Sequence, residues 1–209
     1  MIEQRTQEWH EQRIGKITAS RCADLMARTK SGYSKSRDNY IAQIVCERLT
    51  NTPTESFTSA AMQWGIDTEP MAREAFEAEY LLSVEPAPFV VHPKYEFAGA
   101  SPDGFVGNDL IEIKCPNTAT HIHTLRTQKP DPKYIKQMQF QMWVTGARSC
   151  WFVSYDPRMP EGLKIFAVKI DRDDEMIDEI ESEVIKANDE IEQIIEELNV
   201  IIKNGAKNG

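Results

Sequence analysis

Gly99-Ala100-Ser101-Pro102-Asp103-Gly104-Phe105, followed by Leu110-Ile111-Glu112-Ile113-Lys114-Cys115, is the stretch on which the fold turns. Residues 110–115 alternate apolar and polar side chains in the short, β-branched manner of a strand, and Pro102-Asp103-Gly104 is turn chemistry. A turn therefore feeds a strand. On that strand Glu112 and Lys114 share one face while Ile111 and Ile113 share the other. A hairpin back to Asp103 sets a second carboxylate beside them. Two hard oxygen donors next to a cation suit magnesium, which keeps several waters and takes one or two carboxylates plus phosphate oxygens. Such a set implies phosphoryl chemistry on a nucleic-acid backbone, with Lys114 holding or deprotonating the attacking water. Taken alone, Glu112 and Lys114 read more readily as a surface ion pair worth about 0–1 kcal/mol, so the neighbouring motifs decide.

Those neighbours are Trp9-His10-Glu11-Gln12-Arg13-Ile14-Gly15 with Ile17-Thr18-Ala19-Ser20, Trp64-Gly65 followed by Glu69, Ser101-Pro102-Asp103-Gly104, Glu112-Ile113-Lys114-Cys115-Pro116, Tyr134 to Val144, and Tyr155-Asp156-Pro157-Arg158-Met159. In this order, over residues 9–172, they resemble the PD-(D/E)xK nuclease superfamily and more closely the phage lambda-type alkaline exonucleases, the YqaJ-like viral recombinase family. The resemblance implies an α/β, restriction-endonuclease-like core with a mixed central sheet flanked by helices. It implies that Asp103, Glu112 and the Ile113 carbonyl hold a catalytic Mg²⁺, that Asp103 reaches a second ion, and that Mn²⁺ can substitute. Glu69 becomes a third carboxylate and Lys114 positions water. Tyr134, Gln137, Gln141 and Trp143 resemble the closing motif, in which a glutamine approaches the metal: Gln137 by its register with Tyr134, with Gln139 in competition. Arg13, Ser20 and Ser101 would hold the 5′-phosphate of the degraded strand, and Met62 would wedge apart the duplex end. The same resemblance implies 5′-to-3′ digestion of one strand of linear double-stranded DNA, a homotrimer ring, a single-strand annealing partner, and a phage or prophage gene acting in a bacterial cytoplasm. One departure stands out: where the family pattern has an arginine beyond Cys-Pro, this chain has Asn117-Thr118-Ala119-Thr120, leaving Arg126 as the candidate substitute.

With 209 residues, 41% of them hydrophobic, the chain can bury one core, and a single nuclease domain over 1–209 is expected. The four cysteines lack metal-type pairing, no signal peptide is evident, and no apolar run approaches the roughly 20 residues that cross a bilayer. A net charge of −9 looks hostile to a polyanion, but its distribution removes the objection. Residues 171–199 hold 13 acids against Arg172 and Lys186, whereas residues 13–37 hold seven basic groups against Asp24.

Along the chain, residues 9–13 read as helical and a second helix opens at Ile17-Thr18-Ala19-Ser20 and runs through Met26, with Thr18 or Ser20 its cap. Residues 28–35 read as a flexible basic loop in which Lys30 tracks phosphates. Helices are expected over 39–50 and 59–80, strands over 89–92 and 95–99, and a helix over 133–145. Strands follow over 149–155, apolar enough to be central, and over 164–170. His92, His121 and His123 lack zinc spacing, and the last two read as surface residues of a proline-bounded loop. From Asp173 an acidic helix to 203 carries Ile177, Ile180, Val184, Ala187, Ile191, Ile194, Leu198 and Ile201 as a stripe that docks on the parent domain or on another subunit. Residues 204–209 read as a tail. The rival functions are a site-specific endonuclease and a non-catalytic DNA-end binding or assembly subunit.

Overall fold

The protein is described from a computed structural model that covers residues 4–54 and 59–205. In chain order the elements are α1 (Gln7–Arg13), β1 (Ile17–Thr18), α2 (Cys22–Leu25), β2 (Arg28–Thr29), β3 (Gly32–Tyr33), α3 (Lys35–Thr50), α4 (Ala60–Tyr80), β4 (Val90–Val91), β5 (Ala98–Ala100), β6 (Gly104–Val106), β7 (Asp109–Lys114), α5 (Thr118–Thr127), α6 (Pro132–Thr145), β8 (Ser149–Tyr155), β9 (Ile165–Asp171) and α7 (Asp174–Gly205). The fold is mixed α/β. Its main sheet runs β6-β7-β8-β9, with β7 and β8 parallel and the outer pairs antiparallel. A smaller sheet, β1-β5-β4, carries the N-terminal segment.

The period of two in β7 decides what each face meets. Ile111 and Ile113 pack with Val153, Tyr155 and with Ala72 and Phe76 of α4. Leu110 joins Cys150, Phe152 and the α6 residues Met138, Phe140 and Met142. Glu112 therefore points towards α6. Helices thus cover both faces of the sheet, as helices joined by parallel crossovers must. Between β6 and β7 the hairpin turns on Gly107, whose φ of 61° belongs to the left-handed region. Gly15, at φ 68°, turns α1 into β1; a Cβ there would sit 2.7 Å from Cγ of Arg48.

Several segments differ from their sequence reading. Residues 17–26 do not form one helix: Ile17 N–H bonds to the Phe97 carbonyl and Thr18 N–H to the Tyr40 hydroxyl, which hold β1 extended, and α2 starts only at Cys22. Neither Thr18 nor Ser20 caps a helix by its side chain. The expected strand at 95–99 starts later and ends one residue further on, at Ala98–Ala100, because His92 Nδ1 accepts the N–H groups of Lys94 and Tyr95 and curls the chain into a turn. The basic loop at 28–35 is the β2–β3 hairpin, tied down where Arg28 and Tyr33 both reach Glu183. The proline-bounded segment after Pro116 contains α5, capped by Asn117, and its His121 is fully buried between Ser154 and the Leu163 carbonyl.

Helix α7 lies on α3, α6 and α2. Its stripe is buried from Ile177 to Ile191 and half-buried through Leu198, whereas Ile201 is exposed. The helix runs through Gly205, beyond the expected end at 203, and 206–209 of the expected tail lie outside the described residues. The acid of α7 is not held apart from the basic segment. Arg28 pairs with Glu183, Arg37 with Glu190 and Arg48 with Glu192.

Candidate active site

An open cleft of about 580 Å³ runs over the end of β7, lined by Glu69, Asp103, Ile113 and Lys114, by Ser20 and Met62, and by Cys115 to Asn117 and Tyr134. Hairpin register brings the acids together. Gly104 pairs with Ile111, Asp103 N–H donates to the Ile111 carbonyl, and Ile113 N–H donates to Asp103 Oδ2 at 2.6 Å. Asp103 is thereby fastened beside the strand that carries Glu112.

Glu112 is 1% exposed and lies under the cleft. Its Oε1 receives Gln137 Nε2 at 2.7 Å and the Lys114 ammonium, and its Oε2 receives Gln141 Nε2 at 2.6 Å. Lys114 also stands 5.2 Å from the centre of the Tyr134 ring, which stacks on Phe152. Gln137 and Gln141 are one helical turn apart on α6, so both amides meet one carboxylate. Gln139 faces elsewhere, donating to the Asp171 carbonyl and accepting from Asp173 N–H. Of the two competing glutamines, Gln137 is the one at Glu112.

Burial, then the neighbouring Glu112 and Glu69 carboxylates, holds the Asp103 carboxyl well above its usual range. Burial alone would lower the Lys114 ammonium, but Glu112 and Asp103 keep it above its ordinary value. Burial, Glu69 and Asp103 push the Cys115 thiol up to about 12, so this sulfur is no nucleophile at neutral pH. Among the described residues no three His, Cys, Asp or Glu side chains form a ready-made metal cage. Crowded carboxylates beside a backbone carbonyl are nonetheless the open donor set of a hard divalent cation, which takes its remaining oxygens from water and phosphate. The residues present fit such an ion.

Glu69, on α4, lies at the cleft between Arg5 at 2.5 Å and Arg73 at 3.9 Å, and Arg73 also donates to the Asp103 carbonyl. A second cleft adjoins the first, sharing Ser20 and Met62. At this junction Arg13 donates to Ser101 Oγ at 3.1 Å and to Ser20 Oγ at 3.4 Å, while its guanidinium lies 4.2 Å over the Trp9 ring. Arg13, Ser20 and Ser101 therefore form one cluster. Met62 is 53% exposed in the first turn of α4, an apolar side chain held in solvent between the two clefts. Lys30 is exposed near the tip of the β2–β3 hairpin, and neither it nor Arg126, exposed on α5, lines the cleft.

Tyr155 to Met159 forms a latch that residue types alone did not disclose. The buried Asp156 carboxylate accepts from Thr118 Oγ1 and from the backbone and guanidinium of Arg158, and the Arg158 guanidinium lies 4.5 Å over Trp64. Against burial, the Arg158 and Thr118 hydrogen bonds hold this carboxyl at about 2. The latch joins α4, β8 and the start of α5 beside the cleft. Gln141 stands in the stretch that resembles the closing motif, although the approach to the metal was assigned to Gln137 or Gln139; Arg5 and Arg73 had no assigned role.

The YqaJ-like viral recombinase domain matches residues 8–148, two thirds of the chain. The chain belongs to that family. Two solved structures of an alkaline exonuclease, LHK-Exo, the first from Laribacter hongkongensis and the second in complex with dAMP, are 48% and 49% identical to this chain. Each covers 98% of this chain and 100% of the other, with a TM-score of 0.88. A phage-related exonuclease from Haemophilus somnus 129PT has a TM-score of 0.71 at 17% identity, over 88% of this chain and 96% of its own. At that identity the likeness speaks for the fold alone. No curated protein matches in sequence.

Proposed function

We propose that this YqaJ-like domain is a Mg²⁺-dependent exonuclease that digests one strand of linear double-stranded DNA from 5′ to 3′, leaving a 3′ single-stranded tail for recombination by single-strand annealing. The observation that carries the reading is the convergence of Asp103 and Lys114 at the cleft with Glu112 directly beneath it, next to a second cleft lined by Arg13 and Ser20, where Arg13 also bonds to Ser101. Near-half identity over the full length to an alkaline exonuclease supports it. Asp103, Glu112 and the Ile113 carbonyl would hold the ion, with Asp103 shared by a second and Mn²⁺ able to replace either. When bound, the metal stabilises charge developing on the scissile phosphate and on the leaving 3′-oxygen. Lys114, charged and anchored on Glu112, donates to the attacking water and fixes its position. Gln137 keeps Glu112 from turning away, and Glu69 closes the acidic wall from α4. Arg13 with the hydroxyls of Ser20 and Ser101 grips the terminal 5′-phosphate, which sets both end dependence and polarity. Met62 stands where the strands part. A homotrimer around the duplex and an annealing protein that receives the tail complete the reading.

Linear duplex carrying a 5′-phosphate on one strand only tests it. With Mg²⁺ or Mn²⁺ the phosphorylated strand should lose nucleotides, the other should survive, and covalently closed plasmid should stay intact. Cutting of the plasmid would favour an endonuclease; end binding without nucleotide release would favour an assembly subunit.

A further inference from the structure

Two glutamines of α6 are almost wholly buried and differ in what they hold: Gln139 at 1% exposure bonds to the backbone where β9 meets α7, and Gln141 at 0% bonds to the carboxylate of Glu112. The Gln141 side chain is unusual in its other half. Its Oε1 is buried and has no donor in reach, although Nε2 is engaged at 2.6 Å. Turning the amide over would set its oxygen against the Glu112 oxygen, so the carboxylate dictates the orientation and the orphaned carbonyl follows from it. A buried amide kept half unsatisfied marks a donor whose target matters more than its own balance.

We infer that Gln141 is a positioning residue for Glu112, an inference that rests on the proposed metal-dependent reading and adds to it. Gln137 and Lys114 meet Oε1, but Gln141 alone among the described residues donates to Oε2. Without it the carboxylate is held at one oxygen, free to rotate about that anchor, and its second oxygen is buried without a donor. Outer partners of this kind fix a ligand's orientation and commonly change metal affinity about 10–100-fold.

Calorimetric titration of the full chain with Mn²⁺, without DNA, tests the inference apart from turnover. Gln141→Met keeps length and bulk but loses the donor; it should weaken Mn²⁺ binding by about 10–100-fold. Gln139→Met removes an equally buried amide from the same helix; it should lower Tm as much or more while leaving the Mn²⁺ affinity within about twofold, since it does not touch the carboxylate. Should Gln141→Met fail to fold, Gln141→Asn keeps the amide but withdraws its reach and should weaken Mn²⁺ in the same way. Wild-type affinity in the folded Gln141 variant overturns the inference, as does equal weakening by Gln139→Met. Absence of Mn²⁺ binding to the wild type, or equal binding by wild type and Glu112→Gln, overturns the metal reading instead.

Discussion

Along α7, acids that turn towards the rest of the molecule meet partners of opposite character: Glu181 takes the Tyr95 hydroxyl and the Trp143 indole, Glu183 takes Arg28 and Tyr33, and Glu190 and Glu192 take Arg37 and Arg48. At the cleft acids meet cations but also crowd one another: Glu112 holds Lys114 and Glu69 holds Arg5, yet both carboxylates lie close enough to Asp103 to disfavour its ionisation. Matched charges join elements of the fold; carboxylates crowded in a buried place raise its free energy. On the proposed function the difference separates a region that serves stability from one that serves chemistry, and substitutions in each should divide accordingly.

Lys114→Ala should have the largest effect. Removing one preorganised electrostatic group of this kind commonly costs about 10²–10³ in rate, and nucleotide release from linear duplex should fall by that much. The chain should stay folded because Glu112 keeps both glutamine donors, with Tm lowered by the loss of its buried cation. A collapse of Tm alongside activity would break the comparison, for the cleft's charges would then be structural ones. Arg37→Met is the counterpart on the other side. Arg37 is 2% exposed, reaches Glu190 at 2.8 Å and lies 3.7 Å from the centre of the Tyr33 ring. Because Glu190 keeps access to water, the loss is discounted to about 1–3 kcal/mol, a fall in Tm of roughly 3–10 °C with turnover per folded molecule unchanged. Differential scanning fluorimetry beside a nuclease assay checks both variants together.

How much of this was legible beforehand follows from the range of the interactions. The juxtaposition of Asp103, Glu112 and Lys114 came from a turn and a period of two, both local, and the hairpin register carried it into space, but only the neighbouring motifs turned it from a surface ion pair into a site. Gln137 and Gln139 could not be separated in the same way, because each stands on a helix whose rotation about its axis is set by packing against β8 and α7. Helix α5 went unseen since Thr118, Thr120 and His121 of its first turn are poor helix formers, while the tie from Thr118 to Asp156 spans 38 residues. The surface reading of His121 failed for the same reason: its partners, Ser154 and Leu163, are far away in sequence. The segregation of acid from base was visible in composition, but the pairing of Arg37 with Glu190 needs a fold to bring the two ends together.

The smallest effect is expected where the two regions compete for the same kind of residue. In the basic segment Arg28 and Arg37 are taken up by α7, whereas among the described residues Lys30 and Lys35 make no ion pair. A cation already balanced by an acid releases no counterion from DNA, while an unbalanced one beside a phosphate does. Lys30→Ala should therefore lower the dependence of log Kd on log salt by about one, weakening binding severalfold at low salt and leaving the rate at saturating DNA unchanged. Arg28→Ala, one residue pair away on the same hairpin, should leave the salt slope as it was and instead loosen the contact with Glu183. Equal slopes for Lys30→Ala and wild type would remove Lys30 from the DNA surface, and a changed slope for Arg28→Ala would mean that pairing with α7 does not take a cation out of service.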